Sequence, residues 1–142
     1  MLSGAGTVLC SVGGVEPQTE TVWRQADKYG VPRMVFINKM DRMGADFDNV
    51  VRQLREKLAA PAVPVQIPWG AAEDFVGLID LIKMRAVTFK EDSLGSKIDY
   101  VAIPAELAAK AEEARASLIE PVAEPDEEWL AGCMENIVVA ER

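Results

Sequence analysis

The chain has 142 residues, 49% hydrophobic and 27% charged, a composition typical of a globular domain or part of one and not of a disordered or fibrous protein. Its 15 basic and 23 acidic residues give a net charge of −8, which argues against binding to DNA or an anionic membrane through a general basic field. Histidine is absent and the two cysteines, Cys10 and Cys133, lie far apart, which argues against zinc fingers, disulfide scaffolds and histidine-dependent triads.

The first 60 residues alternate between strand and helix patterns. Residues 7–12 predict a buried parallel strand. This run has no charged leader and is too short to cross a bilayer, so we expect neither a signal peptide nor a membrane span. Pro17 predicts the start of a helix with Gly30 as its left-handed cap, and residues 34–37 predict a second strand. A second helix is predicted by the apolar stripe of Phe47, Val50, Val51, Leu54 and Leu58.

This β-α-β-α order predicts part of a doubly wound α/β sheet over residues 1–60. The pattern changes near residue 61, so residues 61–142 are predicted to form a small α+β unit. The predicted elements of that unit are a proline-rich extended run (61–68), two β-like runs (77–82 and 85–89), a turn (91–97), a helix from Pro104 with the stripe Leu107, Ala111, Ala114 and Leu118, a linker (121–125), and a last helix from Asp126 with Trp129, Leu130 and Cys133.

Asn38, Lys39, Met40 and Asp41 form an N-K-x-D motif directly after the second predicted strand, at the edge where open α/β sheets bind ligands. An ionised Asp41 can accept hydrogen bonds from the ring N–H and the exocyclic amine of guanine. Adenine has an acceptor and a C–H at those positions. Asn38 can donate to the other edge of the base, and the Lys39 stem can cover one face of the ring. The motif predicts guanine recognition; the alternative is that Asp41 only caps the following helix.

Other parts of a nucleotide site are missing from the sequence. No Gly-Lys pair occurs, so the phosphate-binding motif G-x-x-x-x-G-K-[ST] is absent, and no Ser-Ala dipeptide supplies a second wall of the guanine pocket. Residues 27–30 and 41–44 match a D-x-x-G pattern that can hold γ-phosphate and Mg²⁺. The first lies at a helix end, however, and the second overlaps the base-reading motif. We predict one corner of a guanine site, with no catalytic and no metal-binding residue.

Two segments resemble the translation elongation factor G family: residues 15–26 (VEPQTETVWRQA) and residues 35–47 (VFINKMDRMGADF). Residues 64–68 (PVQIP) and 77–84 (GLIDLIKM) resemble the start of the subdomain inserted in its GTPase domain. This implies a partial P-loop-GTPase-type sheet over residues 1–60 and an inserted α+β subdomain over residues 61–142, incomplete at its C-terminal end. Residues 131–142 fit the family pattern poorly.

The resemblance implies a ribosome-dependent GTPase that drives translocation in the intact protein. GTP or GDP would be bound with Mg²⁺, and Asn38, Lys39 and Asp41 would recognise the guanine base. The phosphate loop, both switch regions and the Mg²⁺ ligands would lie upstream of Met1. We therefore expect this chain alone to be inactive as a GTPase.

The resemblance also implies partners and a location. The acidic helix from Pro104 to Glu120 is a candidate contact for the ribosomal stalk protein, or a solvated charged face. The unpaired strand edges of a partial sheet are expected to favour self-association, and the expected location is the cytoplasm or an organellar matrix. The alternative function is a stand-alone, non-catalytic interaction module in which residues 61–142 bind the partner.

Overall fold

The structure, a computed structural model, describes residues 4–89, 98–123 and 136–140. These residues form two four-stranded sheets, one parallel and one antiparallel, with three α-helices. The predicted fold class is confirmed: a partial doubly wound α/β sheet is followed by a small unit built on an antiparallel sheet.

The parallel sheet has the strand order β1-β2-β8-β3. Its elements are β1 (Ala5–Cys10), α1 (Pro17–Lys28), β2 (Arg33–Asn38), α2 (Phe47–Leu58), β3 (Val63–Pro64) and β8 (Asn136–Ala140). In the register, Cys10 lies opposite Asn38 and Arg33 opposite Asn136, and all three pairings are parallel. The ends of β1 and β2 therefore come together at one edge of the sheet, where the N-K-x-D motif begins.

One face of the parallel sheet carries the hydrophobic core. Leu9, Val35 and Ile37 point to this face and are buried against Trp23 of α1 and the predicted apolar stripe of α2. The side chains between them in sequence point to the opposite face, because side chains alternate along a strand. On that face Val8 is 63% exposed and Met34 is 38% exposed. In the described residues, both helices of this unit thus cover the same side of the sheet.

The antiparallel sheet has the order β4-β5-β6-β7. Its strands are β4 (Gln66–Trp69), β5 (Gly77–Asp80), β6 (Arg85–Phe89) and β7 (Ile98–Val101), followed by α3 (Ala105–Ala123). The stripe predicted for α3 packs against the core, with Ala111 fully buried. Arg115 of α3 donates to the carbonyl oxygens of Leu81 and Ile82, which fixes the helix to the β5–β6 turn.

Two predictions in the second half need correction. The run predicted at residues 77–82 ends at Asp80, because the Asp80 carboxylate accepts hydrogen bonds from the N–H groups of Ile82 and Lys83 and closes a turn. The linker predicted at residues 121–125 is wrong at its start, since α3 continues through Pro121 to Ala123. A proline lacks the N–H that an interior helical residue donates, and here its presence does not end the helix.

Sequence analysis does not predict β7 and β8. For β8, the β-branched run Ile137, Val138 and Val139 is the signal that could have indicated a strand. The turn predicted at residues 91–97 and the last helix predicted from Asp126 lie outside the described residues. The domain division at residue 60 stays a prediction; β3 and β8, which follow it in sequence, pair within the parallel sheet. In the described part of the chain, no helix has the length and apolarity needed to cross a membrane.

Candidate nucleotide-binding site

The N-K-x-D residues lie at the carboxyl end of β2. Asn38 is the last residue of the strand, and its Oδ1 accepts a hydrogen bond of 2.7 Å from the Lys39 N–H. The side-chain NH₂ of Asn38 is then the group that can donate to a ligand. Lys39 has a φ of 66°, in the left-handed region that non-glycine residues rarely adopt. The chain then turns, and the Arg42 N–H donates to the Lys39 carbonyl at 3.1 Å. The motif forms a tight loop in which Lys39 is exposed and the Met40 side chain is 1% exposed.

Ser11, which follows β1, contacts this loop from the neighbouring strand. Its side chain is 1% exposed, and its hydroxyl donates a hydrogen bond of 2.7 Å to the Lys39 carbonyl oxygen. Its N–H donates to the Asn38 carbonyl at 2.9 Å. A buried hydroxyl is stable only when it has a hydrogen-bond partner, so Ser11 and the loop depend on each other.

The second unit contacts the same loop. The residues joining β4 and β5 form a short 3-10 turn, Ala72–Asp74, and the Ala72 N–H donates to the Met40 carbonyl oxygen at 2.8 Å. The carbonyl groups of Asn38, Lys39 and Met40 are thus each bonded to a residue outside the motif.

Asp41 lies on the outside of the loop, with an exposed side chain. Within the described residues, no hydrogen bond or ion pair engages its carboxylate. The cap of α2 is Asp46, whose Oδ1 accepts from the Asn49 N–H at 2.9 Å. The alternative in which Asp41 caps the following helix is therefore wrong, and the Asp41 carboxylate stays available to a ligand.

A cleft of about 250 Å³ opens beside the motif, at the carboxyl ends of β1 and β2 and the start of α1. Asn38 and Lys39 line it together with Cys10 and Glu16, whereas Asp41 lies outside its lining. The structure thus brings two of the three predicted site residues to one cleft. Pockets for small ligands measure roughly 300–1,000 Å³, so this cleft is smaller than a typical small-ligand pocket.

Comparison with known proteins assigns the chain to a family. Residues 1–133 match the family model described as the elongation factor Tu GTP binding domain. The chain belongs to this family. The prediction of a translational GTPase family is thereby confirmed, whereas the assignment to elongation factor G within it stays a prediction.

A solved structure resembles this GTP-binding domain chain. It is the crystal structure of ttk003000868 from Thermus thermophilus, which superimposes with a TM-score of 0.82 at 23% sequence identity. The match covers 98% of this chain and 24% of that one. At this identity the likeness shows a shared fold, and the chain spans about a quarter of that protein's length.

The structure adds Ser11 and Ala72 to the residues that shape the N-K-x-D loop. The sequence contained a signal for Ser11. A serine within a run of apolar, β-forming residues is expected to be buried, and a buried hydroxyl needs a hydrogen-bond partner. For Ala72 no local signal exists, because its N–H meets Met40 only through the fold. Neither D-x-x-G match gains support: Gly30 follows α1 with a φ of 58°, as predicted for a helix cap.

Cys10 is the titratable side chain that the site perturbs most clearly. Hydrogen bonds from the backbone N–H of Gly13 and then of Val12 lower the pKa of its thiol. Burial opposes them, and the positive charges of Lys39 and Arg42 lower the pKa by smaller amounts. The same charges and N–H groups favour an anion at this edge of the sheet. Among the described residues, no group of three or more cysteine, aspartate or glutamate side chains is placed to hold a metal ion.

Proposed function

We propose that this chain is part of an elongation-factor-G-like translational GTPase and supplies its guanine-binding loop through Asn38, Lys39 and Asp41. Three observations support this: the chain belongs to the family of elongation factor Tu GTP-binding domains, the motif lies at the carboxyl end of a parallel strand, and the Asp41 carboxylate has no partner in the described residues. The observation that carries the proposal is the exposed, unengaged Asp41. Such a factor would work in the cytoplasm or an organellar matrix.

The chemistry of Asp41 determines which base is accepted. Its two oxygens can accept hydrogen bonds from the ring N–H and the exocyclic amine of guanine, and each charge-assisted bond contributes about 1.5–3 kcal/mol. Adenine would leave the carboxylate beside a ring nitrogen with a lone pair. A site built to bond a particular donor rejects an analogue that lacks it by roughly 10⁴-fold, because the protein group is left unpaired.

The phosphates and Mg²⁺ require groups that the sequence does not provide. It holds no Gly-Lys pair, and the described residues hold no cluster of metal ligands. These residues do not fit a Mg²⁺ site, so we derive no hydrolytic step from them. In the intact factor GTP hydrolysis would drive translocation, and this chain alone would bind the base weakly without turnover.

The test is a titration of the ¹⁵N-labelled chain with GDP, IDP and ADP, followed by NMR. We expect GDP to shift the amides of residues 38–41, IDP to act more weakly because it lacks the exocyclic amine, and ADP to leave them unchanged. Asp41→Ala should abolish the GDP response. Glu56→Gln, which removes an exposed carboxylate from α2, is the matched control and should keep it. Equal responses to GDP and ADP, or an undiminished response of Asp41→Ala, would refute guanine recognition.

We also propose α3 as the contact for the ribosomal stalk protein. Glu106, Glu112 and Glu120 are exposed on this helix, and Ile119 among them is 46% exposed, so the surface suits a basic partner with an apolar contact. Glu112→Lys should weaken binding of the stalk protein to the chain, and Glu73→Lys, at an exposed position outside α3, should not. Stalk binding without any response to GDP would favour the stand-alone interaction module.

Self-association through β1 belongs to the same proposal. In the described residues the one strand that pairs with β1 is β2. Apart from the Cys10 carbonyl, which accepts from the Gly14 N–H, the other edge of β1 lies without a strand partner next to the exposed Val8. Sedimentation of the chain should show dimers that Val8→Lys reduces. A monomer at high concentration would remove this part of the proposal.

A further inference from the structure

The base-reading loop and the second unit meet at one hydrogen bond. The Ala72 N–H donates to the Met40 carbonyl oxygen, which lies between Lys39 and Asp41. The Met40 side chain is 1% exposed, so both its backbone and its side chain are fixed. The direction in which Asp41 leaves the loop therefore depends on a contact with the β4–β5 connection.

This connection, residues 70–76, is itself rigid. The Val76 N–H donates to the Trp69 carbonyl at 2.8 Å and closes it at its base. Gly70 has a φ of 84°, and a Cβ at that position would lie 1.9 Å from the Asp74 carbonyl oxygen. The two ends of the connection thus approach so closely that only glycine fits at residue 70. The Ala72 N–H is presented to Met40 from a fixed frame.

Backbone strain is located on both sides of the hydrogen bond. Lys39 and Ala72 are not glycines, yet their φ values are 66° and 54°. Such residues persist only where the surrounding structure determines their conformation, and they cluster where a loop must keep a particular shape. On the Lys39 side the Ser11 hydroxyl supplies the second fixed contact, 2.7 Å from the Lys39 carbonyl oxygen.

We propose that the β4–β5 connection and Ser11 together position the guanine-binding loop, the connection through the Ala72 N–H and Ser11 through its hydroxyl. This inference rests on the proposed function for its biological meaning. Neither group belongs to the N-K-x-D motif. Each fixes a carbonyl of the motif, and together they hold Lys39 in a left-handed conformation and present Asp41 outward.

The experiment removes one N–H donor and keeps every side chain, while the carbonyl of residue 71 stays in place as a weaker acceptor for the Asp74 N–H. In the full chain, Ala72 is replaced by lactic acid, which converts its amide to an ester and deletes the donor to Met40. The matched control is the same replacement at Val31 by its hydroxy acid, which deletes a 3.0 Å bond to the Ala26 carbonyl at the opposite end of β2, outside both the connection and residues 38–41. Hydrogen exchange of the Arg42 N–H, which donates to the Lys39 carbonyl, reports the loop conformation.

We expect the ester at residue 72 to accelerate Arg42 exchange about fivefold, the equivalent of one net hydrogen bond of about 1 kcal/mol. The ester at residue 31 should leave it within about twofold of the unmodified chain. Equal acceleration in both esters, or none in either, overturns the proposal. Should the ester at residue 72 fail to fold, Ser11→Ala against Ser117→Ala gives the same comparison. Ser117 loses a hydroxyl bond to the Glu113 carbonyl on exposed α3.

GDP titration separates the two proposals. If the unmodified chain binds GDP, the ester at residue 72 should weaken binding about fivefold and the ester at residue 31 should not. If the unmodified chain shows no GDP response, guanine recognition fails, while Arg42 exchange still decides whether the connection fixes the loop.

Discussion

Gly14→Ala should destabilise the chain more than Gly30→Ala, although both glycines are left-handed. Their φ values are 64° and 58°, so each alanine would adopt a left-handed backbone conformation, which lowers the free energy of unfolding by about 1–2 kcal/mol. Each also lowers the entropy of the unfolded chain, which returns about 0.4–1 kcal/mol. The two positions differ in the room available for a methyl group. A Cβ at Gly30 would have no neighbouring atom within 4 Å, whereas a Cβ at Gly14 would lie 2.6 Å from Gln53 Oε1.

The displaced side chain sets the size of the difference. Gln53 Oε1 accepts a hydrogen bond of 2.9 Å from the Val15 N–H and another of 3.2 Å from Lys57 Nζ. Gln53 has to leave this position to admit the new methyl group, and losing the backbone bond costs about 0.5–1.5 kcal/mol. We therefore expect a loss of about 1 kcal/mol for Gly30→Ala and about 2 kcal/mol for Gly14→Ala.

Urea denaturation followed by tryptophan fluorescence gives both values, provided that the m-values agree. A double-mutant cycle with Gln53→Ala isolates the cause, because contacts between neighbouring residues are not additive. In the Gln53→Ala background the excess cost of Gly14→Ala should vanish. A Gly14→Ala variant as stable as Gly30→Ala, or an excess that survives removal of Gln53, would refute the reasoning.

Two further predictions follow from local geometry. Ala59 ends α2 with a φ of 50°, so Ala59→Gly should raise the free energy of unfolding in urea by about 0.5–1 kcal/mol, and a decrease would contradict this. The lowered pKa of Cys10 should make its alkylation by iodoacetamide half-maximal at a lower pH in the folded chain than in the denatured chain, with the site identified by peptide mass spectrometry. Because that pKa is depressed by folding, the thiolate stabilises the folded state fully above the unfolded pKa, and this contribution is lost as the pH falls through the folded pKa. Lys39→Gln should shift the alkylation profile to higher pH; coincident profiles for the folded and denatured chains would contradict the prediction.

The sequence predicted the elements that depend on periodicity. The stripe of α2 and the strand at β2 follow from spacing that folding preserves, because a buried face needs apolar residues at every turn or on both sides of a covered strand. Guanine recognition by the motif stays a prediction: Asn38 and Lys39 line one cleft, and the cap of α2 is Asp46 and not Asp41. The cap position was within reach of the sequence, since Asp46 directly precedes the apolar stripe.

Elements that form only by pairing with segments distant in sequence could not be predicted from the sequence. β8 forms its pairs with β2 and β3, which lie far from it in sequence, in the registers of Arg33 with Asn136 and Val63 with Ile137. Local composition and periodicity do not indicate which distant segment a strand will pair with. β8 lies between β2 and β3 in the parallel sheet, although it follows the antiparallel sheet and α3 in sequence.

The conformation of residues 38–41 shows why a sequence motif does not predict the backbone geometry of its loop. Sequence rules assign left-handed backbone to glycine, and they identify Gly30 correctly. Lys39 and Ala72 break that rule because hydrogen bonds from outside each segment compensate for the strain: the Ser11 hydroxyl bonds the Lys39 carbonyl, and the Met40 carbonyl bonds the Ala72 N–H. A loop of the same four letters without these contacts would relax toward the right-handed region and turn Asp41 elsewhere. If Asn38, Lys39 and Asp41 bind guanine as proposed, the contacts from β1 and the β4–β5 connection determine whether the Asp41 carboxylate is in place to do so.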